Sequence, residues 1–156
     1  MSIATNLTLS SLKRLATFIH ISPHAEATQV EQTVKDLSIK APHPDFEVSS
    51  LSGGNQQKVV IGKALMTRPK LLLMDEPSRG IDVGAKADVF RTMRKLAADG
   101  IGIIFVTSDL DEVMALSDRI GVMSNGKMVQ VFDRGQVTET DVIAASSVGH
   151  KKGLAA

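Results

Sequence analysis

Two adjacent carboxylates, Asp75 and Glu76, follow the apolar run Leu71–Met74 and precede Pro77. Such a run is typical of a strand buried on both faces of a parallel sheet, and a proline ends it because it lacks an N–H. Ligands of α/β sheets bind at the carboxyl ends of the strands. An acid at such an end can hold Mg²⁺, and a second can orient or deprotonate an attacking water, as in metal-assisted phosphoryl transfer. Taken alone, these residues are equally compatible with a solvated strand end that carries two charges.

A second unusual stretch, Leu51-Ser52-Gly53-Gly54-Asn55-Gln56, lies upstream of the apolar run. A Ser-Gly-Gly turn that leads into a helix leaves backbone N–H groups and the positive end of the helix dipole available to an anion. Small residues also let a phosphate approach the backbone closely. For Ser-Gly-Gly alone, the alternative of a flexible turn in which Ser52 caps the helix is the better-supported interpretation.

The elements that position these stretches follow from apolar periodicity. Residues 6–19 and 25–39 each carry apolar residues at helical spacing, and the prolines of residues 42–44 enforce a loop after them. We therefore expect the first part of the chain to be entirely helical, with Thr8 or Ser10 capping the first helix. The apolar faces of these helices comprise Leu9, Leu12, Ala16, Ile19, Val30, Val34 and Leu37.

From Ser52 onward, helical and strand patterns alternate in the order αβαβαββα, which predicts an α/β layer structure with a parallel-sheet half. Asn125-Gly126 is a strong signal for a tight turn, so the last two strands form a C-terminal hairpin. The predicted elements are a helix that begins near Asn55 and ends at 67–69, a strand at 70–75, a helix at 83–98, a strand at 103–107, a helix at 109–117, a hairpin at 119–132 and a helix from Thr138 to about Ser147. We predict three parts, a helical subdomain at 1–50, an α/β core at 51–149 and a flexible tail at 150–156.

Composition excludes several classes of protein. The chain has 156 residues, 43% of them hydrophobic and 22% charged, with a formal net charge of +1. These values are ordinary for a soluble domain and indicate no polyanion partner such as a nucleic acid. The absence of cysteine excludes disulfides and thiolate metal sites. No apolar run reaches the roughly 18 residues needed to span a bilayer.

The two stretches together, in this order and at this spacing, resemble the ATP-binding cassette ATPases, the nucleotide-binding subunits of ABC transporters. Asn55-Gln56-Gln57-Lys58 and Arg79–Lys86 are more particularly similar to the second cassette of the tandem ATPases of bacterial sugar importers of the ribose, galactose and xylose type. The resemblance runs from about Ser2 to about Ile143. It implies a partial P-loop NTPase fold.

The resemblance also implies roles for individual residues. Ser52, Gly53 and Gly54 belong to the signature motif, which contacts the γ-phosphate of ATP held by the opposite cassette. Asp75 supports Mg²⁺ at the end of the Walker B strand, and Glu76 is the catalytic glutamate that polarises the hydrolytic water. The nucleotide-binding residues implied in this way are Leu51, Ser52, Gly53, Gly54, Asn55, Gln56, Asp82 of the D-loop (Ser78 to Asp82) and Ser108 at the switch position, and the cofactors are ATP and Mg²⁺.

Two departures from the family pattern limit this assignment. The phosphate-binding Walker A motif is missing, because no Gly-Lys pair of the chain is followed by serine or threonine; Gly62-Lys63 is followed by Ala64 and has no glycine five residues before Gly62. The switch position carries Ser108, where competent cassettes usually have a histidine that reaches the γ-phosphate. The chain therefore resembles the C-terminal portion of a larger ATPase, and we expect the isolated chain not to turn over ATP.

The function implied is the ATPase component of an ABC sugar importer, peripheral at the cytoplasmic face of the bacterial membrane. Its partners would be a second ATPase cassette and the membrane permease subunits, with a periplasmic sugar-binding protein involved only indirectly. The alternative is a non-catalytic remnant or regulatory module that docks on a complete cassette or on the permease. A DNA-repair or chromosome-structure ATPase is disfavoured, because residues 1–50 show none of the long heptads that precede the signature in those proteins.

Overall fold

The computed structural model of the chain describes residues 1–12, 16–17, 20–21 and 23–147. Two compact units divide the chain, Met1–Val106 and Thr107–Ala156, and each is described by itself. The first unit contains helices α1 (Ile3–Thr8), α2 (Pro23–Asp36), α3 (Gly53–Leu65) and α4 (Val83–Ala98), strands β1 (Ala16–Thr17), β2 (His20–Ile21), β3 (Leu71–Asp75) and β4 (Gly102–Val106), and a 3-10 turn at Val48–Ser50. The second unit contains α5 (Leu110–Leu116), β5 (Arg119–Ser124), β6 (Lys127–Asp133) and α6 (Glu139–Ser147).

The first helix differs from the prediction in its bounds and its cap. It begins after Ser2, whose hydroxyl accepts a hydrogen bond from the Thr5 N–H at 3.1 Å, so neither Thr8 nor Ser10 is the cap. Thr8 instead donates its hydroxyl proton back to the Ala4 carbonyl, a local bond that competes with helix continuation. The buried face consists of Ile3, Leu7 and Thr8, whereas Leu9, expected inside, is exposed.

The prediction of an entirely helical first part was wrong. Ala16–Thr17 pairs antiparallel with His20–Ile21 to form a short strand pair. The segment from Ala16 to Ile21 is rich in β-branched and aromatic residues, which favour strands over helices. Ile19, expected on the helical face, lies outside the described residues.

Helices α1, α2 and α3 pack together around a glycine. A Cβ built at Gly62 of α3 would lie 2.6 Å from Leu7 Cδ2 and 3.0 Å from Leu37 Cδ1. The missing side chain therefore lets α1 and the end of α2 approach the backbone of α3. Val30 and Leu37 are buried, as the periodicity predicts, and α2 ends at Asp36, where Ser38 takes a positive φ of 50°.

Strands β3 and β4 pair in parallel, with Leu71 opposite Gly102 and Asp75 opposite Val106. The parallel pair and its crossover helix α4 confirm the predicted order. Burial of these strands on both faces is not confirmed, because only Leu72 of β3 is buried and Leu73 is 69% exposed. In β4, Ile104 and Val106 are exposed as well. Within the described residues, the inward residues alternate with solvent-facing ones, so each strand is covered on one face.

The second unit is built on the predicted hairpin. Strands β5 and β6 pair antiparallel around Asn125-Gly126, with Ile120 opposite Phe132. Ile120 and Val122 are buried together with Ala145 of α6. Helix α6 begins beside Thr138, which exchanges hydrogen bonds with the Asp141 side chain and N–H in the manner of a capping box. The Thr138 hydroxyl and N–H hold the pKa of Asp141 below its ordinary value.

Candidate functional site

Ser52 stands at the N-cap position of α3, where the predicted anion-binding stretch meets the helix. Its backbone is extended, with φ −60° and ψ 153°. The predicted cap bond is absent, because in the described structure the Ser52 side chain accepts no hydrogen bond from a backbone N–H of the first turn of α3. The first N–H groups of this thirteen-residue helix are therefore left to other acceptors, and the dipole adds positive potential at the same place. Ser52 and Gly53 are exposed, so this end of the helix is open to a ligand.

The side chains of Asn55 and Gln56, which follow the two glycines, form hydrogen bonds within the chain. Asn55 donates from Nδ2 to the Ser52 hydroxyl at 2.9 Å, and its Oδ1 accepts from the Lys40 N–H at 2.8 Å. Gln56 donates from Nε2 to the Leu51 carbonyl at 2.8 Å. Both residues were predicted to bind nucleotide, and the structure gives them contacts that shape the loop around Ser52.

The amino ends of α3 and α4 lie side by side. A Cβ at Gly53 would be 3.0 Å from Ile81 Cγ2, and a Cβ at Gly54 would overlap with the side chain of Ala85 and lie 3.3 Å from its Cα. Asp82 caps α4 by accepting from the Ala85 N–H at 2.9 Å. The structure thus brings together two stretches that the sequence separates, the one predicted as the signature motif and the one predicted as the D-loop.

Asp75 and Glu76 lie at the carboxyl end of β3, as predicted. Asp75 is exposed, and Glu76 is half-buried with its N–H donating to the Val106 carbonyl at 2.8 Å. The backbone of Glu76 has a φ of +45°, in the left-handed region that glutamate rarely adopts. Backbone strain of this kind is concentrated at functional sites. The Glu76 carbonyl then accepts from the Arg79 N–H, which starts the turn toward Gly80.

Ser108 belongs to the second unit and follows the last residue of β4 by two positions. It is exposed, next to Asp109, which caps α5 by accepting from the N–H groups of Asp111 and Glu112.

Lys58 belongs to a stretch that carries the family resemblance, but the sequence predicted no role for it. It is 5% exposed, and its Nζ donates to the Ser38 carbonyl at 3.2 Å and lies 3.6 Å from Asp88 Oδ2 of α4. It is four residues from both Gly54 and Gly62, so the three share one buried face of α3. A lysine in line with two glycines on a helix face was the signal that could have identified it.

The pKa of Asp88 is lowered from its ordinary value. The Lys58 ammonium is the largest cause, partial desolvation opposes it, and Arg91 lowers the pKa further through its charge and a 2.8 Å hydrogen bond. Asp88 therefore keeps its negative charge beside Lys58. This ion pair is a second contact between α3 and α4, one helical turn after the contact of Gly54 with Ala85.

The donor set fits one side of a nucleotide site. Free helix N–H groups and a serine hydroxyl suit a phosphate, and Asp75 suits Mg²⁺, which proteins bind through one or two carboxylates while the remaining ligands are phosphate and water. No group of three or more His, Cys, Asp or Glu side chains with metal-binding geometry occurs in the described ranges. The part of the chain that the structure describes also contains no helix with the length and apolarity of a bilayer span.

Comparisons with known proteins identify the family to which the chain is similar. The profile of the family described as ABC transporter matches residues 1–79. The chain is 44% identical over 149 residues to a xylose import ATP-binding protein from Geobacillus kaustophilus, with 96% of this chain and 30% of that protein covered. It is 43% identical over 150 residues to a ribose import ATP-binding protein from Halalkalibacterium halodurans, with the same coverage of both chains.

Solved structures show the same similarity. An ATP-binding cassette of an ABC transporter superposes with a TM-score of 0.74 at 25% identity, covering 98% of this chain and 62% of that one. A nucleotide-free ATP-binding cassette from an ABC transporter has a TM-score of 0.74 at 27% identity, with 92% and 59% covered. The chain spans about three tenths of the length of the curated relatives it matches.

Proposed function

Because the chain belongs to the ABC transporter family, we propose that it is part of the ATP-binding component of a sugar importer and supplies the signature side of a composite ATP site. Relatives named as xylose and ribose import ATP-binding proteins support the transport assignment. The proposal places the chain against a second cassette that holds the nucleotide in its own phosphate-binding loop. A permease would anchor this assembly at the cytoplasmic face of the membrane.

The observation that carries the proposal is the open amino end of α3 at Ser52. The Ser52 side chain leaves the helix N–H groups uncapped, and the missing Cβ of Gly53 lets this end of the helix lie against Ile81. Close packing of Gly54 on Ala85 holds this end of α3 against α4, the helix that follows the predicted D-loop. A γ-phosphate offered by the opposite cassette would accept hydrogen bonds from the Ser52 hydroxyl and the N–H groups that follow it, with the helix dipole adding attraction.

The remaining predicted residues take supporting roles. Asp75 would hold Mg²⁺, which when bound neutralises phosphate charge. Glu76 would orient or deprotonate water, and the strained backbone of Glu76 is in keeping with a functional role. Asp82 keeps the D-loop helix capped, and Ser108 occupies the switch position with a side chain that cannot carry charge. In the composite site that Ser52 would complete, the catalytic glutamate comes from the opposite cassette, so we propose that turnover at that site depends on Ser52 of this chain and not on Glu76.

The experiment that tests the proposal combines this chain with the separately expressed first cassette of a tandem sugar-import ATPase, which carries an intact phosphate-binding loop. We expect the chain to stimulate ATP hydrolysis by that cassette in a concentration-dependent way. Ser52→Arg in this chain would fill the space for the phosphate and should reduce the stimulation by about tenfold or more. Glu76→Gln should leave it unchanged, because the first cassette supplies the glutamate of the site that is being completed.

Ser49→Arg is the matched control. Ser49 lies three residues earlier, is exposed, and its hydroxyl donates to the Glu47 carboxylate at 3.2 Å. The Ser49→Arg variant should stimulate ATP hydrolysis by the first cassette as strongly as the unchanged chain does. The proposal is overturned if the unchanged chain gives no stimulation, or if the isolated chain hydrolyses ATP and Glu76→Gln abolishes that turnover.

A further inference from the structure

We infer that Asn55 is a positioning residue that orients the Ser52 hydroxyl toward the phosphate and ties it to the turn at residues 38–40. This inference rests on the proposed function. It differs from the role predicted by sequence, in which Asn55 itself binds the nucleotide. The geometry assigns both ends of the Asn55 amide to partners within the protein.

The orientation of the Asn55 amide follows from the chemistry of its neighbours. The Lys40 N–H is only a donor, so the atom of Asn55 that faces it at 2.8 Å must be the carbonyl oxygen. The amide nitrogen then faces the Ser52 hydroxyl oxygen at 2.9 Å and donates to it. Because the Lys40 N–H can only donate, it fixes the orientation of the Asn55 amide and thereby makes Asn55 the donor in its hydrogen bond to Ser52.

The direction of that bond decides what Ser52 can do. A serine hydroxyl has one proton and two lone pairs. Because Ser52 accepts from Asn55 through a lone pair, its proton is directed to a different partner, and a phosphate oxygen is an acceptor that needs such a donor. An acceptor in place of the Asn55 nitrogen would attract the proton of Ser52 and withdraw it from the phosphate.

The anchor of this arrangement lies between α2 and α3. The turn at residues 38–40 is held on α3 at two points, by the Lys58 ammonium at the Ser38 carbonyl and by Asn55 at the Lys40 N–H. Lys58 is buried and pairs with Asp88, so this part of the turn is attached to α4 as well. The position of the Ser52 hydroxyl is thereby linked to the end of α2 through one side chain.

A double-mutant cycle on Ser52 and Asn55 tests the inference in the stimulation assay with the first cassette. If Asn55 acts through Ser52, Ser52→Ala and Asn55→Ala each lower the maximal stimulated rate by about fivefold to tenfold, and the double variant is no worse than Ser52→Ala alone. A role of Asn55 in folding alone, or a direct contact with the nucleotide, makes the two effects multiply. Multiplying effects would overturn the inference and leave the proposed function standing.

Hydrogen exchange of the Lys40 amide in the full chain is the second measurement. Asn55→Ala should speed this exchange by about tenfold, because the amide loses its acceptor, whereas Ser52→Ala should not change it. Gln32→Ala is the matched control. It removes another hydrogen bond donated by a side-chain amide, the exposed one of 2.7 Å from Gln32 to the Asp36 carboxylate in α2. This control should change neither readout. Unchanged exchange in Asn55→Ala would overturn the inference, and a lack of stimulation by the unchanged chain would overturn the proposed function and the inference with it.

Discussion

Gly54 of α3 lies so close to Ala85 of α4 that a Cβ at residue 54 would overlap with the Ala85 methyl group. This contact sets the distance between α3, which begins after Ser52, and α4, which is capped by Asp82. The backbone of α3 can approach α4 only because residue 54 has no side chain. The identity of residue 54 therefore follows from packing, independently of any phosphate that the loop binds.

We predict that Gly54→Ala destabilises the chain by about 1–3 kcal/mol, because the added methyl group must push α3 away from α4. Chemical denaturation measures the loss. Gly84→Ala is the control, since its Cβ would meet only the Asp82 carboxylate at 3.3 Å, and it should be nearly neutral. Combining Gly54→Ala with Ala85→Gly should restore part of the loss. Equal effects of the two alanine substitutions would contradict the packing explanation.

Lys58 and Asp88 form the second link between these helices. Lys58 is buried, whereas the Arg91 partner of Asp88 is 77% exposed and on the same helix as Asp88. Exposed pairs of that kind contribute little, whereas removing Lys58 also leaves the Ser38 carbonyl without its donor. We therefore predict that Lys58→Met lowers the melting temperature more than Arg91→Ala. A larger effect of Arg91→Ala would show that the buried ammonium contributes nothing to the link.

The pH dependence of stability should report on Asp88. Its pKa is lower in the folded chain than in the unfolded chain, chiefly because of Lys58, so folding favours the ionised form. The stabilisation is complete above the unfolded pKa of about 4 and is lost as the pH falls through the lower folded value. We predict that Asp88→Asn lowers the melting temperature at about pH 7 and that its difference from the unchanged chain shrinks below about pH 4. A difference that stays constant on acidification would exclude this contribution of the Asp88 charge.

Much of the second half could be predicted from the sequence because local signals and packing agree there. The apolar run before Asp75, the turn at Asn125-Gly126 and the order αβαβαββα all appear as expected. Periodicity reports which residues prefer to be buried, but it does not report what will cover them. For this reason Leu73 and Ile104, expected inside, are exposed in the described structure.

Several features of the site depend on tertiary partners that no local pattern encodes. The two bonds of Asn55 join residues that are three and fifteen positions away, and the second one requires the turn after α2 to be in place. Ser52 has the right position for a cap, yet its hydroxyl binds a side chain. The strand pair of Ala16–Thr17 and His20–Ile21 differs from the predicted helix because the local signals conflict there: the apolar spacing is helical, whereas the β-branched residues after Ala16 favour a strand.

The hairpin turn of the second unit gives a prediction that involves conformation alone. Asn125 and Gly126 have φ values of 49° and 73°, as a type I′ turn requires. Nothing lies within 4 Å of a Cβ built at Gly126, so Gly126→Ala introduces no clash. We predict a loss of about 1 kcal/mol from the left-handed backbone, measured by denaturation, and almost none for Asn125→Gly. A neutral Gly126→Ala would mean that the turn changes type without cost.

Asp75 and Glu76 are neighbours, but Asp75 has the extended backbone of a strand and Glu76 has a left-handed one. Substitutions at the two positions can therefore be compared to measure the backbone strain at residue 76. Asp75 is the last residue of β3, whereas Glu76 has a φ of +45°. Comparing glycine with alanine at each position removes both carboxylates equally and isolates the backbone. At residue 76 we predict that Glu76→Gly is more stable than Glu76→Ala by about 1 kcal/mol, because alanine retains the left-handed penalty. At residue 75 the order should reverse by about 0.5–1 kcal/mol, because glycine weakens a strand. An alanine variant at residue 76 that is as stable as the glycine variant would show that this backbone position is unstrained. The predicted reversal would show that a side chain at residue 76 costs stability, as expected where backbone strain accompanies a functional carboxylate.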